Sequence, residues 1–184
     1  TISAFIKSVR GSDPHAALYW LAKMIEAGED PRFIARRLII LASEDIGNAD
    51  PRGLTVAVAG LQAVEFIGLP EARITLAQVV TYLATAPKSN SAIVAIDQAL
   101  ADVRSGRVLE VPRPLRDSHY AGAERLGHKG YQYAHDFPGH FVDQEYAPTT
   151  TRYYQPSDQG YEATIAARLA HWESLRRAKK TEAP

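Results

Sequence analysis

Four of the six histidines fall between His119 and His140, and with Asp136 they form the densest run of metal-capable side chains in the 184-residue sequence. Zinc takes three or four nitrogen or oxygen ligands at tetrahedral corners. His119, His128, His135, Asp136 and His140 would therefore suffice for a hydrolytic metal if the backbone brought them together. They lie in a stretch broken by prolines and without helical register, where surface histidines are the plainer reading. No metal ligand set is expected from them, and a metal-dependent hydrolase stands as the last of three functional readings.

Three further patterns have a chemical alternative and a plainer one. Glu44 and Asp45 are neighbours in Ala42-Ser43-Glu44-Asp45-Ile46-Gly47. A catalytic pair of carboxylates needs both groups aimed at one point, whereas successive residues on a helix diverge. Placed where a helix ends, the two negative charges oppose its dipole and require a cation or a following helix N-terminus, with Arg36, Arg37 and Arg52 as the candidates. Gly127-His128-Lys129-Gly130 is glycine-flanked but lacks the spacing and the hydroxyl of a phosphate-cradling loop, so the residues argue no nucleotide site and no catalytic residue. Residues 104–133 hold six Arg and Lys against three Asp and Glu, a local net of +3, with Tyr120, Tyr131 and Tyr133 interleaved. Cations beside stacking rings are what single-stranded nucleic acid binding uses, which makes Arg113, Arg116, Lys129, Tyr131 and Tyr133 the candidate DNA contacts. A solvated loop with packed tyrosines is the simpler alternative.

The elements that would carry these residues are helices. Asp13-Pro14, Asp30-Pro31 and Asp50-Pro51 each put a capping acid before a proline suited to a first helical turn. Leu69-Pro70-Glu71 is a fourth start without the acid. Gly11, Gly28, Gly68 and Gly106 stand where left-handed residues close helices. Leu18, Leu21 and Ile25, then Ile34, Leu38 and Leu41, recur at helical spacing. A further helix is expected from the Pro87-Lys88-Ser89-Asn90 stretch to about Arg104. The fold class is all-α: residues 1–105 form a helical bundle or stacked helical hairpins. Residues 106–184 form an irregular Tyr-, His- and Pro-rich segment that wraps the bundle, with a short strand at 107–111, a short helix near 122–126, and a last helix from about Ser157-Asp158.

Composition excludes several classes. The 21 basic and 21 acidic residues cancel, which argues against a chain whose main work is neutralising phosphates. There are no cysteines, hence no disulfides, thiolate metal sites or cysteine nucleophiles. No apolar run reaches the roughly 20 residues a bilayer requires. The chain starts at Thr1 and its one methionine, Met24, lies inside an expected helix, which leads to the expectation of a fragment of a larger protein.

Long stretches of the sequence resemble the C-terminal region of the replication-associated recombination protein A family, also called RarA or MgsA, whose eukaryotic relatives include the Werner helicase-interacting protein. They begin with Ser3-Ala4-Phe5-Ile6-Lys7-Ser8-Val9-Arg10-Gly11-Ser12-Asp13-Pro14 and Gly28-Glu29-Asp30-Pro31-Arg32-Phe33-Ile34-Ala35-Arg36-Arg37. Ala42-Ser43-Glu44-Asp45-Ile46-Gly47, Gly68-Leu69-Pro70-Glu71-Ala72-Arg73, Ala86-Pro87-Lys88-Ser89-Asn90 and Gly130-Tyr131-Gln132-Tyr133-Ala134-His135-Asp136 follow in order. His15, where an acid is expected, is a departure. The resemblance implies a clamp-loader-like AAA+ ATPase parent acting in replication-fork maintenance and recombination. That parent would use ATP and magnesium, work with single-stranded DNA and single-strand-binding protein, and reside in the cytoplasm at the nucleoid. It implies that this portion, without cofactor or ATPase activity of its own, is the helical collar that holds subunits together as a tetramer.

The residues carry an independent argument for self-association. Between Gly53 and Ala101 only Glu65, Glu71, Arg73, Lys88 and Asp97 are charged. In the helix after Pro51, Leu54, Val56, Val58, Leu61, Val64, Phe66 and Ile67 point in every direction around the axis, and such a helix is buried all round. Leu54, Val58, Leu61 and Phe66 are the candidate residues of a homo-oligomer interface.

Overall fold

A computed structural model describes residues 1–116 and 130–182. Seven α-helices run along the described residues: α1 (Ile2–Arg10), α2 (Pro14–Glu26), α3 (Pro31–Leu41), α4 (Arg52–Ile67), α5 (Ala72–Thr85), α6 (Ser91–Arg104) and α7 (Glu162–Glu182). No strand occurs among them, so the chain is all-α. The stretch 107–111, expected as a strand, has no regular structure, and Val108 within it is exposed. The short helix expected near 122–126 lies outside the described residues. Two compact units divide the chain, Thr1–Asp97 with Tyr154–Ala167, and Gln98–Tyr153 with Arg168–Pro184, so α6 and α7 each contribute to both.

The acids before the prolines act as the sequence suggests. Asp13 accepts from the Ala16 amide and Asp30 from the Arg32 amide, each at 2.9 Å, with proline in the first turn. Each such cap is worth about 1 kcal/mol by satisfying an amide that the helix leaves free. Asp50 accepts from the Arg52 amide at 3.1 Å and starts α4 in the same way. At the other end of α1 the sequence misleads. Gly11 has an ordinary negative φ, and Ser12, at φ 62°, makes the left-handed turn.

In the first unit α1 packs on α2 and α5, and α4 packs on α3 and α5. Phe5, Ile34, Leu38, Leu41, Ile46, Leu76 and Leu83 are fully buried at the centre. The face that α4 turns inward consists of Gly53, Ala57, Gly60 and Val64, spaced four, three and four residues apart. It is a face of small side chains, which lets α5 approach closely. A Cβ on Gly60 would stand 2.5 Å from Cγ2 of Val79, a β-branched side chain with little rotamer freedom in a helix. Gly60→Val is accordingly expected to lower the unfolding free energy by about 2–3 kcal/mol through overpacking, read from the midpoint of urea denaturation. An unchanged midpoint would mean that α4 and α5 part without cost.

Between α3 and α4 the chain passes through one π-helical turn, Ala42–Ile46, and a 3-10 turn, Gly47–Ala49. The last helix begins at Glu162, later than the Ser157-Asp158 start expected from the sequence. Ser157 is engaged elsewhere: its amide and hydroxyl both donate to the Glu162 carboxylate at 2.7 Å.

Candidate functional site

The proposed interface residues divide in two. Leu54, Val58 and Leu61 follow one another at helical spacing within an arc of roughly 60° on a flank of α4, about a quarter-turn from its small-residue face, while Phe66 lies on the far side, roughly 150° from that face. Leu54 is 43% exposed, Val58 37% and Phe66 93%, whereas Leu61 leans on the edge of the core. Among the described residues α4 is not buried on every side: only Gly53, Ala57, Gly60 and Val64 are buried.

A stronger apolar surface lies on α6, which the sequence reading did not single out. None of its residues is buried, and it exposes Val94, Ile96, Leu100 and Val103. Within the first unit Ile93 and Ile96, with Ala92, form one wall of an open groove of about 470 Å³ whose other wall is Ile39, Ile40, Ser43 and Glu44. The signal was present in the sequence, since the charge-poor stretch continues through α6 to Ala101.

At the π-helical turn, Glu44 and Asp45 are charge-paired by Arg10 and not by Arg36, Arg37 or Arg52. The Arg10 guanidinium donates to Asp45 at 2.7 Å and to Glu44 at 3.5 Å, across 35 and 34 residues of chain. The hydrogen bond to Asp45 holds the guanidinium pKa above its usual value despite some desolvation. Lys88 donates to the carbonyls of Ala84 and Ala86 at 2.9 and 2.6 Å, closing the end of α5. Burial lowers its pKa, and the nearby Asp45 charge opposes that shift. Asp45 also fixes the α5–α6 connection, since its backbone carbonyl accepts from the Ser89 amide at 2.8 Å. This is the chemistry of a brace: the acids are held by a cation, not aimed together at an open cavity. Arg52 stays local and pairs with Asp50 at 3.0 Å. Asp50, to which Tyr82 donates at 2.5 Å, resists its own desolvation through these bonds and is held below the usual carboxylate range.

The second unit contains the remaining candidates. Arg113 is exposed, and Arg116 donates to the Val111 carbonyl at 2.9 Å while lying 3.7 Å from Glu110. Tyr131 and Tyr133 are 53% and 54% exposed. Their backbone is clamped by Gln144, whose side chain accepts from the Gln132 amide at 3.2 Å and donates to the Gln132 carbonyl at 3.0 Å. Lys129, His119 and His128 lie outside the described residues. Of the histidines that are described, His135 and His140 have ring centres 4.7 Å apart, with Tyr133 5.0 Å from His135. No group of three or more metal-ligating side chains suited to an ion occurs among the described residues. None of their helices is long and apolar enough to cross a membrane.

The family model for the C terminus of MgsA AAA+ ATPases matches residues 11–173. The chain is 54% identical over 183 residues to an uncharacterized AAA domain-containing protein of Mycobacterium tuberculosis, covering 97% of this chain and 40% of that protein. It is 49% identical over 163 residues to the replication-associated recombination protein A of Bacillus subtilis, covering 86% of this chain and 38% of the relative. Identity to the protein of the same name in Escherichia coli K12 is 45% over 174 residues, covering 92% and 39%. The chain thus spans about two fifths of the length of these curated relatives.

Proposed function

The chain belongs to the C-terminal domain family of MgsA AAA+ ATPases, and from that premise we propose that it is the assembly module of a recombination-associated ATPase, joining copies of itself through apolar helix faces. The observation that supports this reading most is α6, a helix with no buried residue that exposes Val94, Ile96, Leu100 and Val103. Ile96, Leu100 and Val103 fall within an arc of roughly 60° on one side of α6, with Val94 on the other; such a stripe stays in water only at a cost, since each fully covered Val, Ile or Leu side chain is worth about 1.5–3 kcal/mol. The exposed Leu54 and Val58 of α4 add to the same tendency. Obligate subunit interfaces are built from such surfaces, resembling a core cut in half.

In this reading the closed assembly is a tetramer. ATP and magnesium are bound by other parts of the full-length protein, which acts in the cytoplasm at replication forks together with single-stranded DNA and single-strand-binding protein. The chain described here contributes cohesion and no turnover of its own. Light scattering or sedimentation at micromolar concentration is expected to give a multiple of 20.2 kDa without nucleotide. Val58→Glu combined with Ile96→Glu is expected to return a folded monomer with unchanged helical circular dichroism. A strict monomer of the unmodified chain would overturn the proposal.

A further inference from the structure

We infer that the turn between α4 and α5 is an apolar knob that enters the groove between α3 and α6 of a second copy of this chain, so that copies meet head to tail. The contact presupposes the self-association proposed above and gives it two distinct surfaces. Phe66 is 93% exposed, the most exposed large apolar side chain among the described residues. Ile67, Leu69 and Ile74, from the same turn and the start of α5, are exposed with it. The turn that presents them is fixed by its own bonds. The Arg73 guanidinium donates to the Pro70 carbonyl at 2.6 Å, and the Ala72 amide donates to the Gly68 carbonyl at 2.9 Å. A projection already set in shape gives up little freedom on docking.

The groove can take such a knob. It offers about 470 Å³ between Ile39 and Ile40 on one wall and Ala92, Ile93 and Ile96 on the other. A cavity of about 150 Å³ already holds a benzene ring, so a phenyl group and an aliphatic neighbour both fit. Phe66 of the same chain cannot reach it. The groove lies where α3 runs into the π-helical turn, at the end of the bundle where α4 begins. Phe66 stands near the other end of α4, roughly 20 Å from Arg52 at about 1.5 Å per residue. A knob and a groove at opposite ends make a heterologous contact, which repeats from copy to copy and forms a ring where the rotation closes. Charge favours the same pairing. Arg10 and Lys88 offset Glu44 and Asp45, which leaves Arg36 and Arg37 of α3 against Asp97 of α6 beside the groove, one positive charge in excess. Glu65 and Glu71 stand against Arg73 at the turn, one negative charge in excess, and neither acid has an ion pair among the described residues. Ile96 belongs both to the groove and to the exposed stripe of α6, so the groove continues the face already proposed for assembly.

The chain has no cysteine, so single cysteines placed at the two surfaces report the contact without background. Glu65→Cys and Arg36→Cys chains keep Phe66 and the groove walls. Mixed and treated with a short bismaleimide, they are expected to give a covalent pair with one chain of each kind, which neither gives alone. Adding Phe66→Ala to the first chain should abolish the pair and weaken assembly roughly ten- to a hundredfold, the worth of one covered phenylalanine. Phe66 stands in water, so this variant should keep the helical circular dichroism and unfolding midpoint of the unmodified chain. Three results overturn the head-to-tail contact while leaving self-association in place: a Glu65→Cys chain that cross-links to itself as readily as the mixture, an assembling mixture that gives no mixed pair, or undiminished assembly of Phe66→Ala. An unmodified chain that sediments as a monomer removes self-association itself, and this contact with it.

Discussion

Glu162→Ala is expected to destabilise the first unit by roughly 3–5 kcal/mol, a large part of the 5–15 kcal/mol that keeps a domain folded. The Glu162 side chain is fully buried and has no cation beside it among the described residues. One oxygen accepts from the Ser89 hydroxyl, the Ser157 hydroxyl and the Ser157 amide, all at 2.7 Å, and the other accepts from the Tyr154 hydroxyl at 2.9 Å. A charge-assisted hydrogen bond is worth about 1.5–3 kcal/mol, and an orphaned buried amide costs about as much again. Alanine forfeits the former and leaves the Ser157 amide in the latter state. Glu162→Gln is the informative partner. Its carbonyl can serve the three donors while the Tyr154 hydroxyl turns to accept from its amide, so the loss should be markedly smaller.

The same carboxylate sets a pH dependence whose sign is fixed. Burial pushes its pKa up, but the hydroxyls of Ser157 and Ser89, the Ser157 amide and the Tyr154 hydroxyl outweigh burial and hold it below the ordinary value. A group with a depressed folded pKa contributes stability above its unfolded pKa of about 4.3 and loses it as pH falls through the folded value. The stability gap between the natural chain and Glu162→Gln should therefore be constant from neutral pH to about pH 5 and narrow below about pH 4. Guanidinium denaturation curves across that range decide it, and a gap that widens on acidification would reverse the assignment.

Gly160→Ala is the second large effect, at roughly 2–5 kcal/mol. Gly160 has φ 51°, and a Cβ there would overlap the carbonyl oxygen of Ala49 and approach Cγ of Pro87 at 2.8 Å. That carbonyl accepts from the Tyr161 amide at 2.8 Å, so it cannot move aside without breaking the bond that seats the chain before α7. Left-handed strain contributes about 1–2 kcal/mol, and overpacking against backbone about 1–3 more. Gly28→Ala separates the two. Gly28 has φ 79° with no atom within 4 Å of an added Cβ, so only the strain should appear. Equal losses at the two positions would show that the crowding at Ala49 relaxes.

The helical starts were legible because a cap is a local device. Asp13, Asp30 and Asp50 each reach an amide two or three residues ahead, and proline presets the dihedral in between. Chain neighbours also carry the 3.6-residue periodicity, so the all-α class, the placement of α2 and α3, and the end of α6 at Arg104 follow from sequence alone. The inward face of α4 was illegible. Its large apolar side chains surround the axis, and what chooses the face is the closeness with which α5 packs, which rewards Gly53, Ala57 and Gly60 for the atoms they lack. The partners of the buried acids were equally hidden. Arg10 meets Asp45 across 35 residues and Ser89 meets Glu162 across 73. No spacing rule reaches that far, because such pairs form only after helices docked by apolar burial have brought the charges together. The aromatic loop shows the division most plainly. Its rings are written in residues 130–151, but the contact of the tilted His140 ring with His135 accompanies a left-handed turn at Gly139 and His140 that only the folded backbone supplies.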